Sequence, residues 1–142
     1  MPLAFAAAGC GSNHTLTFHV TGNPARSATA GCQFVIEARL VEGGHQQVCL
    51  TQVEGFPAPN ATIRSRGTMV FALRDGTIRA RVRVTQRFRS DGRHARQTTT
   101  GTIVGGYGRY RGARGTVTGE GTVVDTAARL ADVRVVYRLL MQ

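Results

Sequence analysis

From Thr15 onward, apolar and polar side chains alternate with a period of two over most of the chain. Alternation of this kind places successive side chains on opposite faces of half-buried β-strands. Leu16, Phe18 and Val20 alternate with Thr15, Thr17 and His19 until Asn23-Pro24 breaks the run. Cys32, Phe34, Ile36, Ala38 and Leu40 then share a face, with Gln33, Glu37 and Arg39 on the other. Glu42-Gly43-Gly44-His45 is a hairpin signal, returning the chain through Gln47 to Val53. Phe56-Pro57-Ala58-Pro59-Asn60 reads as a loop, since no central strand would hold its prolines.

Thr68 to Leu73 predicts a short apolar strand, closed by the turn Asp75-Gly76. The most regular stretch follows: Ile78, Ala80, Val82, Val84 and Phe88 face one way, and Arg79, Arg81, Arg83 and Arg87 the other. Asp91-Gly92 turns the chain into a strand from Gln97 to Val104, and another runs from Gly115 to Val124. The last strand sets Ala131, Val133, Val135, Tyr137 and Leu139 against Asp132, Arg134 and Arg138. About eight strands joined by short turns, with no helix pattern, predict an all-β antiparallel sandwich or up-and-down barrel. Eight strands can close around an interior that side chains fill or that holds one small ligand.

The most particular stretch is Gly101 to Gly121, GTIVGGYGRYRGARGTVTGEG. Its dense glycines predict a strand ending near Val104, a tight turn carrying Tyr107 and Tyr110, and a second strand from Gly115. This wording resembles the glycine-rich hairpin of allene oxide cyclases and dirigent proteins, GGTGxYxGARG. It stands here as Gly105-Gly106-Tyr107-Gly108-Arg109-Tyr110-Arg111-Gly112-Ala113-Arg114-Gly115, with Tyr107 where that family has Thr.

The resemblance implies a single eight-stranded antiparallel barrel over residues 15–142, with a ligand-sized lumen and a flexible N-terminus over 1–14. It also implies cofactor-free chemistry on a small, hydrophobic, unsaturated substrate. Bacterial proteins of this kind include spirotetronate cyclases, which perform intramolecular [4+2] cycloadditions on polyketides. The alternative is a non-catalytic barrel that binds or guides a hydrophobic ligand. Relatives that associate through outer barrel faces make a homodimer the expected assembly.

The chain of 142 residues is long enough for one domain with its own core. No apolar run approaches the ~20 residues of a membrane span. The formal charge of +10 is carried entirely by arginine on the basic side. The Arg79/Arg81/Arg83/Arg87 stripe suits an anion or simply solvent, and the lack of interleaved aromatics argues against nucleic acid as the partner.

Met1 to Ser12 is small and apolar, readable as a flexible N-terminus or as the remnant of a signal, with a lipoprotein-like box at Cys10. If Gly43-Gly44 forms the turn, Cys49 sits opposite about Ala38, roughly 20 Å from Cys32 along the strand. A disulfide requires Cα atoms within about 7 Å, so the expectation is free thiols and a cytoplasmic location, with secretion as the alternative.

No nucleophile elbow, phosphate loop or metal-ligand spacing is present. The informative positions are polar residues in phase with apolar ones. Tyr137 points with Val133, Val135 and Leu139, and Gln86 with Val84 and Phe88. If these faces line the lumen, both are candidate catalytic hydrogen-bond donors; otherwise each bonds to backbone or water within a filled core. The candidate substrate-binding wall is Phe18, Phe34, Ile36, Val82 and Phe88. Tyr107 joins it from the glycine turn, as do Met69 and Phe71, whose facing the pattern leaves open.

Overall fold

The structure is a computed structural model describing residues 13–142. Its nine strands are β1 (His14–Gly22), β2 (Ala25–Ser27), β3 (Phe34–Arg39), β4 (His45–Glu54), β5 (Thr62–Leu73), β6 (Gly76–Phe88), β7 (His94–Gly108), β8 (Gly115–Asp125) and β9 (Leu130–Met141). They form one antiparallel sheet in the order β1-β9-β8-β7-β6-β5-β4-β3-β2. The sheet is curled and barrel-like, and its concave side holds the core.

An eight-stranded closed barrel is not what forms. β1 ends at the expected Asn23-Pro24 break and pairs with β9, while the short β2 beyond the break, which the pattern did not predict, pairs with β3. Among the described residues β1 meets this edge through one isolated bridge, Val20 to Leu40 just past β3, supported by the Val41 N–H donating to the His19 carbonyl at 2.9 Å. Proline offers no N–H to a ladder, and this seam stays incomplete.

Two strands are longer than their patterns suggested. β5 begins at Thr62; its first half does not read as apolar alternation because Ser65 and Gly67 occupy inward positions that an apolar strand would fill with larger groups. β7 runs on to Gly108, past a register shift opposite Arg79 and Ala80 that absorbs one residue near Val104. Gly108 sits at φ +62°, where an added Cβ would lie 2.5 Å from the Asp75 carbonyl oxygen. That conformation is closed to β-branched residues.

The free-thiol expectation is corrected: Cys32 and Cys49 form a disulfide, with Cα atoms 5.4 Å apart. The turn closes earlier than Gly43-Gly44 alone suggests. Leu40 donates to Gly44 at 3.0 Å, and Arg39 pairs with His45. This register puts Cys49 opposite Val35 rather than Ala38, and Cys32 lies just before β3, between bends at Gly31 and Gln33. The ground for a reducing compartment therefore falls. The expectations for Cys10 and the N-terminal segment lie outside the described residues, apart from the start of β1 at His14.

Candidate functional site

The interior has two halves. Towards the β5–β6 and β7–β8 turns it is solid, packed by Phe71, Ile78, Ile103, Val117 and Leu139. Phe18 stacks on Phe71 with ring centroids 5.3 Å apart, and Tyr137 meets Phe71 edge-on at 5.9 Å. Beyond Tyr137 the packing gives way to a cavity of about 380 Å³. It opens between Pro24, the Gly55–Pro57 loop and the Thr126–Ala127 turn.

Five expected site residues line that cavity: Tyr137, Gln86, Phe34, Ile36 and Met69. Met69 and Phe71 both point inward, which settles the facing of β5. The others do not join them. Phe18, Phe71, Val82 and Phe88 are buried in packed core without lining the cavity. Tyr107 is 73% exposed, because it precedes the tight turn on the outward phase and pairs with Thr77.

The structure adds polar groups that the alternation contained but the strand boundaries hid. Gln46 is in phase with Val48 and Leu50 and is buried against Met69, its amide 3.3 Å from the sulfur. Gln97 stands directly opposite Gln86, whose Nε2 donates to its Oε1 at 3.0 Å. Thr99, next inward on β7, is 1% exposed; its hydroxyl lies near the Tyr137 phenol but makes no hydrogen bond of good geometry among the described residues. Orphaned buried hydroxyls of this kind are rare and costly.

Tyr137 is the centre of this group. Gly119 faces it across β8–β9, and a Cβ there would come within 2.7 Å of the ring. Burial pushes the phenol pKa up, an effect that the nearby side chains of Gln46, Thr99 and Gln97 offset only in part. The phenol is therefore neutral at ordinary pH and available to donate. Around it stand Gln46, Gln86 and Gln97, each with an uncharged amide.

Charge is confined to the mouth. Arg26 on β2 donates from Nη1 to Asp125 Oδ1 and from Nη2 to the Thr126 carbonyl, both at 2.6 Å. Its guanidinium also lies 5.3 Å over the Phe34 ring. Asp125 is legible as an inward residue only once its phase with Val123 is known. The pair ties β2 to the end of β8 and fixes one rim of the opening.

No family model, no curated protein and no solved structure matches the chain.

Proposed function

We propose that the cavity binds a small, mostly apolar, uncharged molecule bearing a carbonyl or similar acceptor, and folds it for intramolecular cyclisation without a cofactor. One observation carries this reading: four uncharged hydrogen-bonding side chains, Tyr137, Gln46, Gln86 and Gln97, converge in a mostly apolar cavity of about 380 Å³ whose charges, Arg26 and Asp125, are paired at its mouth. Ligand pockets are commonly about 300–1,000 Å³, apolar, with a few placed polar groups. The glycine-rich hairpin, which resembles that of the allene oxide cyclases, supports the same reading and a barrel-like scaffold for it.

The work asked of the protein is mainly positional. Holding two ends of a flexible chain in reactive contact contributes ~7–11 kcal/mol in favourable cases. Tyr137, protonated and shielded from water, donates to the acceptor oxygen as charge develops on it. The glutamines orient the remainder, and the phenylalanine and isoleucine wall of β3 sets the fold of the bound chain.

A second reading, a binding protein that carries its ligand unchanged, is favoured by the Cys32–Cys49 disulfide. Disulfides persist in oxidising compartments, where a ligand carrier is a common role for a small barrel. The deciding experiment is native mass spectrometry on protein from its producing cells, followed by chromatography of the compound released on denaturation. An unsaturated compound together with its cyclised isomer supports the cyclase. A single unchanging ligand supports the carrier, and a cavity empty from every preparation overturns both.

A further inference from the structure

The convex face carries a second feature, independent of the cavity. On β5, β6 and β7 the outward side chains are almost all arginine and threonine: Arg64, Arg66 and Thr68, then Arg79, Arg81, Arg83 and Arg87, then Arg96, Thr98, Thr100 and Thr102. Arg66 stands directly opposite Arg83, and Arg87 opposite Arg96. Like charges in opposed positions destabilise a sheet. The carboxylates that form ion pairs among the described residues do so with His19, Arg26, His94 and Arg109 rather than with these arginines; Glu54 lies beside Arg64 and Arg66, and Arg66 Nε donates to Gln52 Oε1.

Behind this face the inward row Gly67–Val82–Gly101 crosses the three strands, and a Cβ at Gly67 or Gly101 would strike backbone at 1.8 Å or 2.2 Å. The tight coiling there leaves two shallow outer depressions, of about 750 and 480 Å³, which share Arg66, Arg83 and Thr100. Together they make a continuous trough rather than a point site.

We propose that this trough binds an acidic polysaccharide, seating sulfate or carboxylate groups on Arg66, Arg81 and Arg83, with Thr68, Thr100 and Thr102 as secondary donors. The planar guanidinium matches both anions in bidentate geometry. No aromatic side chain on which bases could stack lines the trough, unlike single-strand nucleic-acid sites, and outward Tyr107 stands at the far end of β7. The large exposed apolar residues, Val41, Phe56, Tyr107 and Leu140, do not line the trough, so it has no wedge for a lipid surface. A polyanion laid in the trough also relieves the opposed Arg66–Arg83 pair.

The test titrates heparin, as the probe, into the full chain at two salt concentrations. Arg66→Gln/Arg81→Gln/Arg83→Gln is compared with Arg74→Gln/Arg89→Gln/Arg111→Gln, which removes the same charge from the turns. The trough variant should lose about tenfold or more in affinity and flatten the salt dependence, while the turn variant loses less than about threefold. Equal losses in the two variants, or no binding by the parent, would overturn the proposal. So would tighter binding of a single-stranded oligodeoxynucleotide or of phosphatidylglycerol vesicles than of heparin. Should the Gln variant fail to fold, Arg66→Lys/Arg81→Lys/Arg83→Lys keeps the charge but loses the bidentate fork: weakened binding upholds the trough, and undiminished binding sinks it.

Discussion

Gly119 and Tyr137 are partners across β8 and β9, and the phenol ring occupies the space that a side chain at position 119 would need. Inward glycines in a strand usually weaken it; this one makes room for the residue on which the site is centred. Gly119→Ala should force the ring or the strand to shift, costing about 1–3 kcal/mol as overpacking does. Ligand affinity should fall as well, because Tyr137 leaves its place. Denaturant unfolding and ligand titration on the same variant check both effects. Unaltered stability with unaltered binding would show that the ring has room to spare.

Tyr137→Phe keeps the ring and its contact with Phe71 but removes the donor. Stability should change by less than about 1.5 kcal/mol, the scale of one hydrogen bond. Turnover of a cyclised substrate, or affinity for a carried one, should fall by about tenfold or more, as loss of a single placed donor predicts. A variant indistinguishable from the parent in both respects would remove Tyr137 from the mechanism.

The raised phenol pKa has a signed consequence. Burial favours the neutral form in the folded chain, so this contribution to stability is complete below the ordinary tyrosine value near 10 and is lost as pH rises through the folded pKa. Phenolate absorbance should show one of the three tyrosines resisting ionisation until the fold opens. In Tyr137→Phe that late component disappears, and the alkaline fall in melting temperature becomes shallower.

Asp91 gives the opposite sign at the acid end. Its Oδ1 accepts from the backbone N–H groups of Arg93 and His94, both at 2.9 Å, and its other oxygen meets His94 Nδ1. Those bonds, the Arg93 amide first, hold the carboxyl well below its usual range. Stability from this turn is present above about pH 4 and lost as pH falls. Asp91→Ala should therefore melt lower than the parent at neutral pH, and the difference should narrow below about pH 3. A gap that is constant with pH would assign the loss to something other than the carboxylate.

Much of this was legible because a strand's period of two is rigid. Once β9 is in register, Tyr137 must follow Val133 and Val135 inward, and Gln86 must follow Val84. Gln46, Gln97 and Thr99 obey the same rule, yet they lie at or near strand starts, where a polar residue looks like the end of the pattern. Alternation fixes facing but not depth, so it does not separate Phe88, in solid core, from Phe34, on the cavity wall. Nor does it fix closure: whether β1 reaches β3 depends on the shape of the chain around Asn23-Pro24, a property of φ and ψ rather than of hydropathy.

Cys32 and Cys49 show how far one turn residue propagates. Three positions of register separate an unbridgeable pair from a bonded one. The bridge spans 17 residues and encloses the β3–β4 hairpin, whose Phe34 and Ile36 form a wall of the cavity. Closing a loop of that length stabilises by about 3 kcal/mol when the fold accepts it without strain. Reduction, or Cys32→Ser with Cys49→Ser, should cost about 2–4 kcal/mol and weaken ligand binding through the loosened β2–β3 edge. Alkylation of the unreduced chain under denaturation should leave Cys32 and Cys49 unlabelled, and reduction should open both to the reagent. Labelling of both without reductant would mean that the thiols are free, returning the chain to a reducing compartment and leaving the hairpin to hold the wall by packing alone.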